Sequence, residues 1–146
     1  MKSMFCEDDV CQLKNRLLQL SPEHHPCWGI MTAGKMMCHL ADAIQYTLSD
    51  PDRNAEVMKG PPMMIRHLVR LWIPWPKGAP TVDAMMQTDP VDFEKDRQRL
   101  FRRMDCLLQT RREDWPVHPF FGPLDGLAWA RLTWRHINHH LKQFGL

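Results

Sequence analysis

Apolar side chains recur at three- and four-residue steps in four stretches of the chain, which is the spacing of amphipathic helices. The first stretch predicts a helix over about 8–20, with the apolar positions Val10, Leu13, Leu17 and Leu20. The second predicts a helix from a Thr32 cap to about residue 48, with the apolar stripe Met36, Leu40, Ala43 and Ile44. Ser21 and Pro22 separate these two helices.

The same spacing predicts two further long helices in the second half of the chain. One begins at 90–92 and reaches about residue 111, with the apolar positions Phe93, Leu100, Met104 and either Leu107 or Leu108. The other begins after an Asp125 cap and ends at 144–146, with an inward stripe of Leu127, Ala130, Trp134, Ile137 and Leu141. No strand pattern persists for more than four residues.

The connection between the second and third helices is rich in proline. Pro61 and Pro62 can open a short helix as far as Trp72, and 73–90 predicts a long irregular crossover. Four long helices with one long connection predict an all-α fold, a four-helix bundle with a long crossover between the second and third helices. The 146 residues suit a single domain over 1–146.

Charge and composition exclude several partners. The formal net charge is only +2, and the densest basic run, 97–112, is interrupted by Asp105, so no nucleic-acid partner is expected. No window is apolar enough for a signal peptide or a membrane span, so we expect a soluble cytoplasmic protein. The five cysteines form no CxxC pair, and we expect free thiols, most of them buried.

Three of the eight histidines lie within five positions of the last predicted helix. His136 and His140 are one turn apart, roughly 40° in azimuth and about 6 Å in rise, so their imidazoles can converge on one ion. His39, inside the second helix, is the candidate third ligand. Three imidazoles leave coordination positions open for water or substrate, and zinc, nickel and iron(II) are all compatible with them. The alternative is a set of ordinary core and surface histidines.

Other residues near these histidines leave alternatives open. His139 could replace His140 in the pair, or lie beside the site. His67 is a candidate fourth ligand. Asp42, three residues after His39, could orient an imidazole or accept a proton from a bound water. No Glu follows His136, so the segment is not the HExxH motif of metalloproteases.

Several short motifs together resemble the DinB-like superfamily, in particular a branch without assigned activity. They are 31–42 (MTAGKMMCHLAD), 118–124 (HPFFGPL), Trp129 and 136–145 (HINHHLKQFG). The resemblance covers most of the chain, from about residue 8 to the end. It implies a bundle with up-down-down-up helix order and a divalent metal bound by His39, His136 and His140. Relatives include transferases and isomerases that use mycothiol, bacillithiol or glutathione.

The residues and the resemblance lead to two hypotheses of function. The first is a metal-dependent enzyme, a thiol transferase or hydrolase, in which the ion activates a low-molecular-weight thiol or water toward a small-molecule substrate. Asp42 and His118 would assist, and the candidate pocket-wall residues are Trp28, Trp72, Trp75 and Trp129. For His118, the alternative is a rigid loop that packs Phe120 and Phe121 against the bundle. The second hypothesis is a non-catalytic, stress-associated metal-binding or dimerisation module, with a homodimer as its partner.

Overall fold

The computed structural model describes residues 1–51 and 83–146. These ranges contain four α-helices, α1 (Glu7–Leu18), α2 (Ala33–Thr47), α3 (Phe93–Gln109) and α4 (Gly126–Gln143), and a short 3-10 helix, Asp83–Met85. No strand occurs within them, and the only β-type pairing there is an isolated bridge between His118 and Gly122. The predicted all-α four-helix bundle is confirmed. The predicted short helix over 61–72 lies outside the described residues.

Side-chain caps begin three of the four helices at the positions that the sequence predicts. A side-chain oxygen of the residue before the helix accepts a hydrogen bond from a backbone N–H in the first turn, which satisfies one otherwise unpaired donor. The acceptor and donor pairs are Thr32 with Lys35, Asp92 with Lys95, and Asp125 with Ala128. The predicted starts of α2, α3 and α4 are therefore confirmed.

α2 and α3 run parallel to each other. At the start of the pair, the Lys35 ammonium lies 2.7 Å from the Asp89 carboxylate. At its end, the Arg112 guanidinium donates to the carbonyls of Thr47 and Ser49. Because consecutive parallel helices begin at the same end of a bundle, the chain between them must return along the length of α2, about 22 Å for 15 residues. This arrangement explains the long connection.

α1 and α4 run in the opposite direction to that pair. Lys14 pairs with Asp105 while Arg97 donates to the carbonyl of Leu18, so α1 is antiparallel to α3. The N–H of Met4 donates to the carbonyl of Ala130, and further along Arg16 donates to Asn138, so α1 is parallel to α4. The helix order is therefore up-down-down-up, with α4 antiparallel to α2.

The core residues follow the predicted stripes with one exception on α4. Leu127, predicted to face inward, is 45% exposed, whereas Trp129 is 2% exposed. Residues two apart on a helix are related by a rotation of about 200° about its axis, so they face nearly opposite sides. In the first turn of α4 the inward side is set by a second apolar cluster, in which Trp129 packs with Tyr46, Phe121 and Leu124. The prediction for Leu127 was therefore wrong.

The cysteines also differ from expectation. All five are free thiols, as predicted, but only Cys38 on α2 is buried. Cys6, Cys11, Cys27 and Cys106 are exposed because they lie at a helix start, in a loop, or on the solvent faces of α1 and α3. The prediction of mostly buried thiols was wrong. Among the described helices, none is long and apolar enough to cross a membrane.

Candidate metal centre

The antiparallel packing of α2 and α4 brings three histidine rings together. Nε2 of His136 lies 2.9 Å from Nε2 of His39 and 3.1 Å from Nε2 of His140. One ligand nitrogen from each ring lies within 4.8 Å of the others, so the group could hold a metal ion. The three histidines that the sequence singled out therefore form one cluster.

The spacing of these nitrogens suits a single ion. Zinc binds imidazole nitrogen at about 2.0–2.1 Å, so two nitrogens on one ion lie roughly 2.9–3.4 Å apart for bond angles between about 90° and 110°. The two observed Nε2 separations, 2.9 and 3.1 Å, fall in that interval. Two of the three separations therefore suit a single divalent ion, and the third is no longer than 4.8 Å.

Hydrogen bonds on the far side of two rings decide which nitrogens face the cluster. Nδ1 of His39 lies 2.8 Å from the carbonyl oxygen of Met85, which can only accept, so this nitrogen carries the proton. Nδ1 of His140 lies 2.8 Å from Oε1 of Gln143. Nε2 of Gln143 donates to the carbonyl of Trp28 at 2.9 Å, which identifies Oε1 as the acceptor. Both rings therefore direct an Nε2 lone pair into the cluster.

A tight turn before α2 holds the Gln143 amide in place. Gly29 has a left-handed backbone with φ of +77°, and a Cβ there would lie 3.1 Å from Nε2 of Gln143. The backbone N–H of Cys27 also donates to the backbone carbonyl of Gln143 at 2.6 Å. Any other residue in place of Gly29 would have a strained backbone, and its Cβ would lie too close to the Gln143 amide. The turn therefore fixes the side chain that orients His140.

Burial keeps the three imidazoles neutral. It lowers the pKa of His39 and lowers that of His140 to about 3. It is also the main reason that the pKa of His136 lies well below its usual value, and repulsion from a proton on His39 or His140 adds to it. Only a neutral imidazole can donate a lone pair to a metal. The cluster is thus in the ligand form at neutral pH.

Asp42 lies near His39 but does not orient it. Its two carboxylate oxygens accept from the backbone N–H and the hydroxyl of Thr88, each at 2.8 Å. The orienting contact to His39 comes instead from the backbone of Met85. The Asp42 carboxylate acts on His39 through its charge, which raises the pKa of the imidazole against the larger effect of burial. Its role as acid or base stays a prediction.

His118 forms part of a closed turn. Its Nδ1 accepts hydrogen bonds from the N–H groups of Phe120 and Phe121 at 3.0 and 3.1 Å, and its backbone pairs with Gly122. The ring lies 4.8 Å from the Phe121 ring and 4.9 Å from that of Trp129. Burial lowers the pKa of His118 to about 3. These contacts fit the rigid-loop interpretation, and a catalytic role for His118 stays a prediction.

The remaining candidates lie beside the cluster or outside the described residues. The His139 ring makes edge contacts with Trp28 at 5.8 Å and with His140 at 5.3 Å, and it is not in the three-histidine group. The two α4 histidines in the cluster are therefore His136 and His140. Trp129 is buried in the second apolar cluster. The candidates that lie outside the described residues are His67, Trp72 and Trp75.

Comparison with known proteins adds one assignment. Searches of the curated proteins and of the solved structures found no match. A family described as a protein of unknown function (DUF1569) matches residues 7–145. Since the match spans nearly the whole sequence and includes all three clustered histidines, the chain belongs to the DUF1569 family.

Proposed function

We propose that this chain is a DinB-like, metal-dependent enzyme. A divalent ion, zinc, nickel or iron(II), held by His39, His136 and His140 would activate a thiol or water for transfer to, or hydrolysis of, a small molecule. The observation that carries the proposal is the convergence of three Nε2 atoms at 2.9 and 3.1 Å. Two of these rings are held by acceptors that lie outside the cluster. Such outer contacts are typical of metal-binding histidines.

The helix arrangement supports the DinB-like part of the proposal. The up-down-down-up order follows from contacts between the helices, and the three histidines come from the second and fourth of them. The resemblance of the sequence implies both features. The family description names no activity, so the proposed reaction depends on the chemistry of the residues.

Three imidazole ligands leave at least one coordination position for a reacting molecule, as in catalytic metal sites. When bound, a divalent ion supplies Lewis acidity and lowers the pKa of a coordinated water or thiol. The protein holds the imidazoles neutral and oriented. His118, with Nδ1 engaged as an acceptor, has its proton on Nε2 and so can donate a hydrogen bond. A pKa of about 3 makes it a poor base at neutral pH. We therefore assign proton acceptance to Asp42 and hydrogen-bond donation to His118.

A non-catalytic metal-binding or dimerisation module is the second candidate. The observation in its favour is the low exposure of two ligands, 2% for His39 and 8% for His140. A site closed to small molecules would bind an ion without turnover. Access of exogenous ligands to the ion therefore separates the two functions.

Elemental analysis of the untagged protein tests metal binding. We expect about one ion per chain, and loss of the ion in the His136→Ala/His140→Ala double variant with an unchanged circular dichroism spectrum. His139→Ala is the matched control, because it removes a neighbouring imidazole of α4 that is not in the cluster. A protein that takes up no zinc, nickel or iron(II) on reconstitution contradicts the proposal.

Substitution with cobalt(II) tests whether the site is open. If the site is open, as the enzyme hypothesis requires, glutathione or azide should occupy the free coordination position and shift the visible absorption of the cobalt. A spectrum that neither ligand changes would favour the non-catalytic module. The His139→Ala variant should respond as the unmodified protein does.

A further inference from the structure

A cavity of about 270 Å³ lies between α2 and α3, beside the 3-10 helix. This volume is close to the lower limit for small-molecule sites, so it suits a small metabolite. Its polar lining comes from three elements. α2 contributes Asp42 and Gln45, the segment after the 3-10 helix contributes Gln87 and Thr88, and α3 contributes Arg99 and Arg103.

One edge of the Arg99 guanidinium lacks hydrogen-bond partners. Nη1 donates to the Thr88 hydroxyl at 2.9 Å. Nε and Nη2 are buried, and neither has a partner in ranges 1–51 and 83–146. These two nitrogens lie on the same edge of the planar guanidinium, and together they form a fork that matches the two oxygens of a carboxylate or phosphate. Unpaired buried donors are costly, and the Arg99 side chain lines the cavity and is 28% exposed, so turning this edge toward an acceptor in the cavity would remove that cost.

The Asp42 carboxylate does not satisfy this edge. Both of its oxygens already accept from Thr88, and its nearest approach to Arg99 is 3.8 Å, to Nη1. Arg103 lies one turn after Arg99 and makes no hydrogen bond or ion pair with the described residues. Two guanidinium groups and one carboxylate therefore give the polar lining a net positive charge.

We propose that this cavity binds a small ligand through an oxyanion group, a carboxylate or a phosphate. When the Arg99 side chain turns toward the cavity, Nε and Nη2 bind two of the oxygens of the ligand, and Arg103 supplies the second positive charge. The amide of Gln45 is available for the uncharged part of the ligand. The inference depends on the α2–α3 cavity alone, so it does not require a metal at the histidine cluster.

Calorimetric titration of the full chain with inorganic phosphate and, separately, with acetate tests the proposal, at an ionic strength held constant with sodium chloride. The informative variants are Arg99→Lys, which keeps the charge but loses the fork, and Arg103→Gln. Arg102→Gln is the matched control, because Arg102 is an exposed residue of the same helix and its loss removes the same charge. Circular dichroism verifies that each variant folds.

We expect at least one probe to bind, with affinity reduced about tenfold or more by Arg99→Lys and by Arg103→Gln, and unchanged by Arg102→Gln. Binding of phosphate alone identifies a phosphorylated ligand, and binding of acetate alone identifies a carboxylate. The proposal is overturned if neither probe binds. It is equally overturned if Arg102→Gln weakens binding as much as the other two variants, since the effect would then be general surface charge.

Discussion

Buried histidines occur in two regions of this molecule, the α2–α4 cluster and the turn over 118–122, and they differ in what Nδ1 meets. In the cluster, Nδ1 of His39 and of His140 donates to an oxygen, so the Nε2 lone pairs converge. In the turn, Nδ1 of His118 accepts from two backbone N–H groups. Burial lowers the pKa in both regions. The partner of Nδ1, rather than burial, therefore distinguishes His39 and His140, which are proposed to bind a metal, from His118.

The largest expected effect on stability comes from the turn. His118→Leu leaves the N–H groups of Phe120 and Phe121 without their acceptor, and we expect the free energy of unfolding to fall by about 2–4 kcal/mol. Metal content should not change. Denaturant titration measures the loss, and His25→Leu, at an exposed position, should change stability by less than about 0.5 kcal/mol. Loss of metal in folded His118→Leu would show that the two regions are not separate.

The next effect concerns the orientation of His140. Gln143→Leu removes the acceptor for its Nδ1 proton, so the neutral ring can adopt the other tautomer. We expect metal affinity to fall by about 10- to 100-fold, measured by competition with a chromogenic chelator. Gln143→Glu keeps an acceptor and should retain most of the affinity. Gln109→Leu, on the exposed end of α3, is the control. Equal affinities for Gln143→Leu and the control would contradict the orienting role.

Over a single pH unit, a smaller effect is expected from the pH dependence that His118 contributes. Its pKa in the folded protein, about 3, lies below the value near 6.5 expected in the unfolded chain. Protons therefore bind the unfolded state preferentially, so His118 favours folding above pH 6.5 and this stability is lost as the pH falls toward 3. The expected slope is about 1.4 kcal/mol per pH unit. His118→Asn, which keeps an acceptor, should show a shallower dependence, and identical slopes in both proteins would contradict this account.

The smallest effect is expected at Asp42. Because the backbone of Met85 rather than this carboxylate orients His39, Asp42→Asn should change metal affinity by less than about threefold, a difference of about 0.7 kcal/mol. A large loss of affinity would mean that the charge of Asp42 holds the site together. If turnover is found, its loss in this variant with metal retained would support the proposed role as a proton acceptor.

Periodicity and capping were sufficient to predict the described helices, because the core stripes and the side-chain caps both depend on nearby residues. The proximity of His136 and His140 on α4 could also be predicted from the sequence, since positions one turn apart share a face of the helix. The hydrogen bond from His39 to the carbonyl of Met85 could not be predicted, because any residue type can offer a backbone carbonyl. Gln143 lies three residues after His140, a spacing that indicates contact, but only the fold shows that its other end is fixed by Trp28. The unpaired edge of Arg99 could not be predicted from the sequence either, because it depends on how α2 packs against α3.

The separation of the ligands along the chain has a consequence for folding. His39 and His136 are 97 residues apart, so an ion bound by both would close a loop of that length. In a chain-entropy account, a cross-link over about 100 residues disfavours the unfolded state by about 4–5 kcal/mol at 25 °C. The same account applies to metal clips that close long loops. An ion at this site would therefore act as a reversible cross-link between the first third of the chain and its last helix.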